Sequence, residues 1–309
     1  MLSGHYFVIS TVILTKIMLL FIKRCKKFIS VYCKRGIEMG YNKLLDMHTH
    51  TDNSPDGSAA IMYMCEVAQQ KGLRAIAFTD HCEVDDYKQN KNAPKRIKQS
   101  YFESVKARSV YMGRLIVSSG VELGQPTYDT KTAEEIISKY KFDIVLAAIH
   151  NLRDGEDFYF MDFSTQNIDE IMTQYFKEVL GVAKWDRFDS LVHLTYPIRY
   201  ITGKYGLDVD LKKYSDYTDE ILKVLAQNGK ALEINTSGLR GALKDTMPTK
   251  DIIKRFKELG GERITIGSDA HKAKDIGCGV EQAMGIAVDC GFNFITLYQN
   301  RVPIMIPIE

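Results

Sequence analysis

The chain of 309 residues has only six cysteines, and no two of them form a Cys-x-x-Cys pair. Disulfide frameworks belong mainly to short secreted chains, and structural zinc sites usually need clustered cysteines. Neither feature is expected in this chain. We therefore expect the cysteines to be reduced thiols and the protein to be cytoplasmic.

The chain also lacks a strong excess of basic charge, because 41 Lys and Arg residues face 39 Asp and Glu residues. Residues 1–43 carry eight of the basic residues and one acid, Glu38, so the remainder has a formal charge of −5. Nucleic-acid binding usually needs a basic face. We therefore expect no nucleic-acid partner.

No uninterrupted apolar run reaches the roughly 20 residues that a membrane-spanning helix needs. The longest candidate, residues 7–22, contains Lys16 and is followed by a basic stretch at 23–27. It has neither the basic start nor the small-residue cleavage site of a secretory signal. Two interpretations stay open for this segment, a single-pass membrane anchor and an artefact of the assigned start site.

We prefer the start-site interpretation, in which translation begins at Met39. In a bacterial source, Arg35-Gly36 can be encoded by a purine-rich run that resembles a ribosome-binding site. The expected organisation is thus an N-terminal extension, 1–38, followed by one domain, 39–309. A membrane partner is expected only if the extension belongs to the native protein.

From residue 43 onward, short β-branched apolar runs alternate with longer amphipathic stretches. This alternation predicts parallel strands covered by helices. Seven such units fit a closed or nearly closed α/β barrel better than two separate domains. The predicted strands are 44–48, 74–79, 115–121, 143–149, 189–193, 230–235 and 263–268, with a weak eighth at 293–297. The predicted helices are 58–71, 94–112, 131–140, 167–184, 214–228, 249–259 and 278–290.

Each of the seven predicted strands has a histidine or a carboxylate at or near its carboxyl end. Barrel enzymes build their active sites at this rim. A single histidine there is more often a hydrogen-bonded structural residue, but so many imidazoles and acids together would be costly without cations. A mixed set of this kind suits zinc, iron or manganese. The residues are His48, His50, His81, Glu122, His150, His193, Glu233, Asp269 and His271.

The ordered motifs resemble those of the PHP (polymerase and histidinol phosphatase) superfamily from about residue 43 to the end of the chain. They are His48-x-His50, the Ser-Pro-Asp-Gly run that contains Asp56, Thr-Asp-His81, Glu122, His150, His193 and Ser-Asp269-Ala-His271. Within the superfamily, the segments that begin at His150, His193 and Glu233 are similar to those of the monofunctional histidinol-phosphatases. The resemblance implies a distorted (β/α)7 TIM-like barrel that hydrolyses a small phosphate ester.

The resemblance also implies three divalent metal ions, zinc, iron or manganese. One would be held by His48, His50, Glu122 and Asp269, and a second by Glu122, His150 and His193. The third would be held by Asp56, His81 and His271, with Asp52 as a rival to Asp56.

Further roles follow from the expected phosphatase reaction. Glu122, Asp269 and His271 are the expected catalytic residues, and either Asp269 or a metal-held water is expected to protonate the leaving alkoxide. Arg199 is expected to bind phosphate, with Arg153 as a second candidate. Asn235 and Glu233 are expected either to contact the substrate amine or to support the metal ligands from behind. Asp80 is expected to orient a ligand imidazole by a hydrogen bond.

Three other functions remain as alternatives to histidinol phosphate hydrolysis. The first is a PHP phosphoesterase for another small phosphate monoester or a nucleotide, since the motifs define the metal chemistry better than the leaving group. The second is a membrane-anchored or regulatory binding protein with a degenerate barrel. The third is a metal-dependent amidohydrolase, although such barrels usually carry a bridging lysine where this chain has His150. The oligomeric state is not indicated by the sequence.

The start-site interpretation predicts that N-terminal sequencing of the protein purified from its natural source will begin at Met39. A mature chain that began at Met1 would contradict it and leave the membrane-anchor interpretation standing.

Overall fold

The computed structural model describes residues 44–308. The predicted extension, 1–38, and the alternatives for it lie outside the described residues. Within 44–308, no helix combines the length and the apolar character that crossing a membrane would require. Cys65, Cys82, Cys278 and Cys290 are free thiols.

Strands and helices alternate along most of the described chain. The strands are β1 (Leu45–Thr49), β2 (Ala75–Phe78), β3 (His81–Glu83), β4 (Ile116–Gly124), β5 (Ile144–Ala148), β6 (Ser190–Leu191), β7 (Ala231–Asn235), β8 (Ile264–Gly267), β9 (Phe294–Gln299) and β10 (Val302–Pro307). The helices are α1 (Ile61–Gln70), α2 (Ala93–Val110), α3 (Thr130–Lys139), α4 (Ile168–Trp185), α5 (Ile198–Ile201), α6 (Ser215–Gln227), α7 (Ser237–Arg240), α8 (Lys250–Glu258) and α9 (Val280–Asp289). Short 3-10 turns occur at Phe163–Thr165, Leu211–Tyr214 and Ala273–Asp275.

The main sheet is parallel and has the strand order β1-β2-β4-β5-β6-β7-β8. Strand β3 continues along β4 where β2 ends, so the two short strands share one position. At the carboxyl end, His50 N donates to Ala270 O (2.9 Å) and Asp269 N donates to His48 O (2.8 Å). These bonds join β1 to the segment after β8, which confirms the predicted α/β barrel.

The strands are buried on both faces because helices cover the outside and side chains fill the inside. Every residue of β1, β2, β5, β7 and β8 is buried. The covering helices bury one apolar stripe each, as in α4, where Met172, Phe176 and Val179 face the core. Such continuous apolar strands are what a barrel core requires. The core therefore fixes the strand ends, where the candidate site lies.

The weak eighth run is a strand, β9, but it lies outside the barrel sheet. It pairs antiparallel with β10, which the sequence analysis did not predict. The two-residue turn between them, Asn300-Arg301, has positive φ at both positions (51° and 62°). Such turns match the twist of a hairpin, although Arg is an unusual residue there.

Arg301 fastens this hairpin to the amino end of the barrel. Its backbone N donates to Asp143 O (2.8 Å), and its Nε donates to Asp189 Oδ2 (2.9 Å). Asp143 and Asp189 directly precede β5 and β6. The ion pair with Asp189 is buried on the acid side, where only 7% of the side chain is exposed. This end of the barrel is opposite to the rim that carries the histidines.

We expect Arg301→Ala to lower the free energy of unfolding by roughly 1–3 kcal/mol, because it leaves the buried Asp189 carboxylate without its cation. Chemical denaturation measures the change. Lys184→Ala breaks an ion pair with Glu220 that is exposed on both sides, and it should cost less than about 1 kcal/mol. Equal effects of the two substitutions would contradict the assignment.

Candidate active site

The carboxyl ends of the barrel strands bring all nine predicted metal ligands together. His48 lies in β1 and His50 follows it, so the two side chains share one face of the extended chain. His81 opens β3, and Glu122 lies within β4. The remaining members follow strand ends or lie in the loop after β1; they are Asp56, His150, His193, Asp269 and His271.

The Glu122 carboxylate is the centre of this cluster and is completely buried. Its Oε1 lies 2.8 Å from His193 Nε2 and 3.3 Å from His150 Nε2. Its Oε2 lies 2.8 Å from His81 Nδ1 and 3.5 Å from His50 Nε2. One carboxylate thus faces imidazole nitrogens from four different strand ends, which suits a bridging ligand.

Asp269 places a second carboxylate beside the histidines in and directly after β1, His48 and His50. Its Oδ1 lies 3.3 Å from His50 Nε2 and 3.8 Å from His48 Nε2. Its Oδ2 lies 3.4 Å from Arg199 Nη1 at the cavity wall. Asp269 therefore joins the buried histidines to the open side of the site.

The outermost group contains Asp56, His81 and His271. Asp56 Oδ2 lies 3.1 Å from His271 Nε2 and 3.7 Å from His81 Nε2, and the two Nε2 atoms are 3.3 Å apart. Asp52 is exposed, and no histidine nitrogen lies within 4.0 Å of its carboxylate among residues 44–308. Of the two acids considered from the sequence, Asp56 is the one beside the imidazoles.

The backbone is strained at two of these positions. His193 has φ 29° and Asp269 has φ 53°, in the left-handed region that non-glycine residues seldom adopt. Strain of this kind persists where the surrounding structure imposes it, and it is common at functional sites. In both residues the turn directs the side chain into the cluster rather than along the strand.

Buried acceptors orient the histidine rings from outside the cluster. Glu233 Oε1 lies 2.7 Å from His48 Nδ1, and its Oε2 accepts from the backbone N of His193 (2.9 Å). Glu83 Oε1 lies 3.1 Å from His150 Nδ1. A carboxylate at Nδ1 keeps the proton there, so the Nε2 lone pair of His48 and of His150 faces inward, as a metal ligand requires.

Glu83 and Ser54 are contacts that sequence reasoning missed. Ser54 Oγ lies 3.2 Å from His50 Nδ1 and donates to Asp80 Oδ1 (2.7 Å). Asp80 contacts no imidazole, so the expectation of a direct hydrogen bond is wrong, and it reaches His50 only through Ser54. The spacing His81-x-Glu83 on one strand could have indicated Glu83, because both side chains lie on the same face.

The pKa shifts differ between members of the cluster. Burial alone would lower the pKa of His48 and of His150, but the surrounding carboxylates raise it well above its ordinary value, so these rings must lose a proton before they bind a cation. Burial alone would raise the pKa of the Glu122 carboxyl, but His48, His150 and His81 hold this pKa well below its ordinary value. Burial, with the neighbouring His81 and His271, lowers the pKa of His50 well below its ordinary value. An ionised carboxylate and a neutral imidazole are the forms that bind metal.

The donor set fits divalent metals. Three groups have ligand atoms within 4.8 Å of one another, and each contains His81 or His50. Glu122 Oε2 and His81 Nδ1 are buried, and neither has a hydrogen bond of acceptable geometry within the described chain. Buried polar atoms without partners are uncommon and call for an explanation, which a cation between the ligands would supply. The groups are His50, His81 and His271; His48, His50 and Glu122; and His81, Glu122 and His150.

A cavity of about 860 Å³ lies over the cluster. Arg199 and Arg240 both line it, together with Asp269 and His271. Arg240 donates to Ser268 O (2.7 Å) and Asp269 O (3.2 Å), which holds its guanidinium beside the site. Arg240 was not predicted as a site residue, because it lies in a short helix after β7 that apolar periodicity does not reveal.

Two predicted substrate-binding residues do not line this cavity. Arg153 is exposed, and its guanidinium stacks on the Tyr128 ring at 4.2 Å. Asn235 is completely buried, where it donates to Glu233 Oε2 (3.0 Å) and accepts from Ser237. Asn235 thus supports the carboxylate that orients His48.

Barrel and site together define a class of hydrolytic (β/α) enzymes that bind metals at the carboxyl ends of their strands. The family model of the PHP domain matches residues 46–237. The chain therefore belongs to the PHP domain family, as its motifs predicted.

Two relatives align with this chain over nearly their whole length. A probable histidinol-phosphatase of Clostridium acetobutylicum is 32% identical over 251 residues, covering 80% of this chain and 94% of the relative. The histidinol-phosphatase of Lactococcus lactis is 28% identical over 261 residues, covering 84% and 95%. A solved structure of the Lactococcus lactis enzyme, in complex with zinc, L-histidinol and phosphate, has a TM-score of 0.73 and 26% identity, covering 85% of this chain and 99% of that chain.

Glu233→Gln should weaken metal retention by about 10- to 100-fold, because the amide cannot hold the His48 proton as a carboxylate does. Metal content after dialysis against graded chelator concentrations measures the loss. Glu262→Gln, an exposed substitution far from the rim, is the matched control. Identical retention in both variants would show that Glu233 does not position His48.

Proposed function

We propose that this protein hydrolyses L-histidinol phosphate to L-histidinol and phosphate, the reaction of a histidinol-phosphatase in histidine biosynthesis. The observation that carries the proposal is the cluster of six imidazoles and three carboxylates beneath a cavity whose wall contains Arg199. Similarity to histidinol-phosphatases over more than nine tenths of their length supports the choice of substrate.

The proposed cofactors are three divalent ions, zinc, iron or manganese, since mixed imidazole and carboxylate donors suit these metals. His48, His50, Glu122 and Asp269 would hold one ion. Glu122, His150 and His193 would hold another, and Asp56, His81 and His271 the third. Such ions supply Lewis acidity for the phosphate oxygens and for the attacking water.

Glu122 and Asp269 have the central roles among the residues of the chain. Glu122 belongs to two of the three ligand sets, so it fixes the spacing between them. Asp269 Oδ2 faces Arg199, 3.4 Å away, which aligns the guanidinium toward the phosphate position. An arginine fork can bind two phosphate oxygens at once and stabilise the charge that develops as the P–O bond breaks.

The leaving alkoxide needs a proton. Burial alone would raise the pKa of the Asp269 carboxyl, but neighbouring histidines and Arg199 hold this pKa well below its ordinary value, so Asp269 carries no proton to give. The proposed donor is a water that the ions would hold, with Asp269 and His271 as the groups that orient it. Both line the cavity, whereas His48 and Glu122 lie completely buried beneath it. A proton-transfer group must lie within hydrogen-bonding reach of the leaving oxygen. The proposed cellular location of the protein is the cytoplasm.

Metal-loaded protein should release phosphate from L-histidinol phosphate, and His193→Ala should abolish the release. Arg199→Ala should reduce kcat/KM by about 100-fold, as expected for removal of one charge-stabilising donor. Colorimetric phosphate detection after loading with manganese, zinc or iron measures both effects.

Arg153→Ala is the matched control, because this arginine stacks on Tyr128 away from the cavity, and it should retain nearly full activity. Melting curves must show that His193→Ala is folded. Turnover of a nucleotide or aryl phosphate without turnover of L-histidinol phosphate would reject the substrate and leave a PHP phosphoesterase of other specificity.

A further inference from the structure

The cavity over the metal-type cluster has cationic and anionic walls. Arg199 and Arg240, which follow β6 and β7, contribute positive charge beside Asp269. Asp85 and Asp157, which follow β3 and β5, contribute negative charge. A phosphate uses only the cationic wall, so an acid of the anionic wall that no protein group occupies is available to another part of the ligand.

Asp157 is a half-buried acid of this wall, and one of its carboxylate oxygens accepts no hydrogen bond from the described residues. Its Oδ1 accepts from the backbone N of Tyr159 (2.7 Å) and from the Tyr196 hydroxyl (3.3 Å). No donor from residues 44–308 reaches its Oδ2. The side chain is half-buried and lines the cavity. A carboxylate in this position is stabilised by a cation that enters the cavity.

The neighbouring acids Asp85 and Glu83 are already occupied, and Asp86, which uses one oxygen for Asn90 Nδ2 (2.8 Å), is exposed rather than half-buried. Asp85 accepts from Gln125 Nε2 (3.4 Å) and Asn151 Nδ2 (3.2 Å). Glu83 binds His150 and Gln125. Both carboxylates therefore help to hold the site, whereas Asp157 has an oxygen available for a ligand.

Tyr196 connects Asp157 to the cluster. Its ring centroid lies 5.0 Å from that of His193 and 5.1 Å from that of His150, while its hydroxyl donates to Asp157. Tyr200 donates to the same hydroxyl (2.9 Å), which fixes the ring further. Asp157 is thus separated from the cluster by about the length of one tyrosine ring. A small ligand can span from the metal-type cluster to this carboxylate.

We propose that Asp157 binds the ammonium group of the substrate, so that the site selects phosphate monoesters of cationic amino alcohols. The inference rests on the proposed phosphatase function and adds a specificity-determining residue to it. The phosphate group lies toward Arg199 and the ammonium group toward Asp157. Phosphate esters without an ammonium group leave the Asp157 carboxylate without a partner and bind less well.

The test compares O-phosphoethanolamine with ethyl phosphate, two esters that differ by one ammonium group. Each is measured as an inhibitor of p-nitrophenyl phosphate hydrolysis by the metal-loaded full chain. The natural protein should prefer the ammonium ester by about tenfold or more, the range of a charge-assisted hydrogen bond. Asp157→Asn should abolish the preference, while Oδ1 can still accept from Tyr159 and Tyr196.

Calorimetric binding of L-histidinol in the presence of phosphate gives a readout without turnover, and Asp157→Asn should weaken it by a similar factor. Glu156→Gln removes the same charge from the adjacent exposed residue and should change neither measurement. An equal loss for both esters in Asp157→Asn, or a preference that survives the substitution, would overturn the assignment. Failure to hydrolyse L-histidinol phosphate while the preference persists would reject the substrate and leave the role of Asp157 intact.

Discussion

The buried carboxylate of Glu122 is the constraint on which the site depends. An ionised group with no exposed surface must be compensated, and here imidazole nitrogens from the ends of β1, β3, β5 and β6 surround it. Those nitrogens converge only because a closed parallel barrel brings every strand end to one rim. Burial without cations would be costly, so the fold and the proposed metal binding would be coupled through this one residue.

Much of this arrangement could be predicted from the sequence because it depends on strand ends. Apolar runs locate the strands, and polar residues at their carboxyl ends must then meet in a parallel barrel. His48 and His50 illustrate the reason, since alternate residues of an extended chain share a face. Gly72, Gly229 and Gly260, which follow α1, α6 and α8, have positive φ, a conformation in which helices commonly end.

Other features could not be predicted because they depend on the course of loops. Periodicity carries no information about where Arg153 or Asn235 points, and the structure directs one away from the cavity and buries the other. Arg240 reaches the cavity from a helix of four residues, too short to leave a periodic pattern. The hairpin of β9 and β10 was not predicted, although a strand at the position of β9 was. Pro303 and Pro307 make the β10 segment resemble a loop in the sequence.

Those prolines are compatible with an edge strand. The hairpin that contains them packs against the end of the barrel opposite to the candidate site. In β10 the prolines pair opposite Tyr298 and Phe294, and β9 is the only strand that pairs with β10 within the described residues. On the free side of β10 a missing N–H costs nothing and discourages pairing with another chain. The hairpin is fastened by Arg301 to the acids that precede β5 and β6, while the histidines lie at the opposite ends of the strands. The strained backbone of His193 and Asp269 lies at the rim, whereas the ion pair of Arg301 with Asp189 stabilises the opposite end of the barrel. The two ends of the strands thus have different roles: ion pairs at the amino end stabilise the fold, and the cluster at the carboxyl end forms the candidate site.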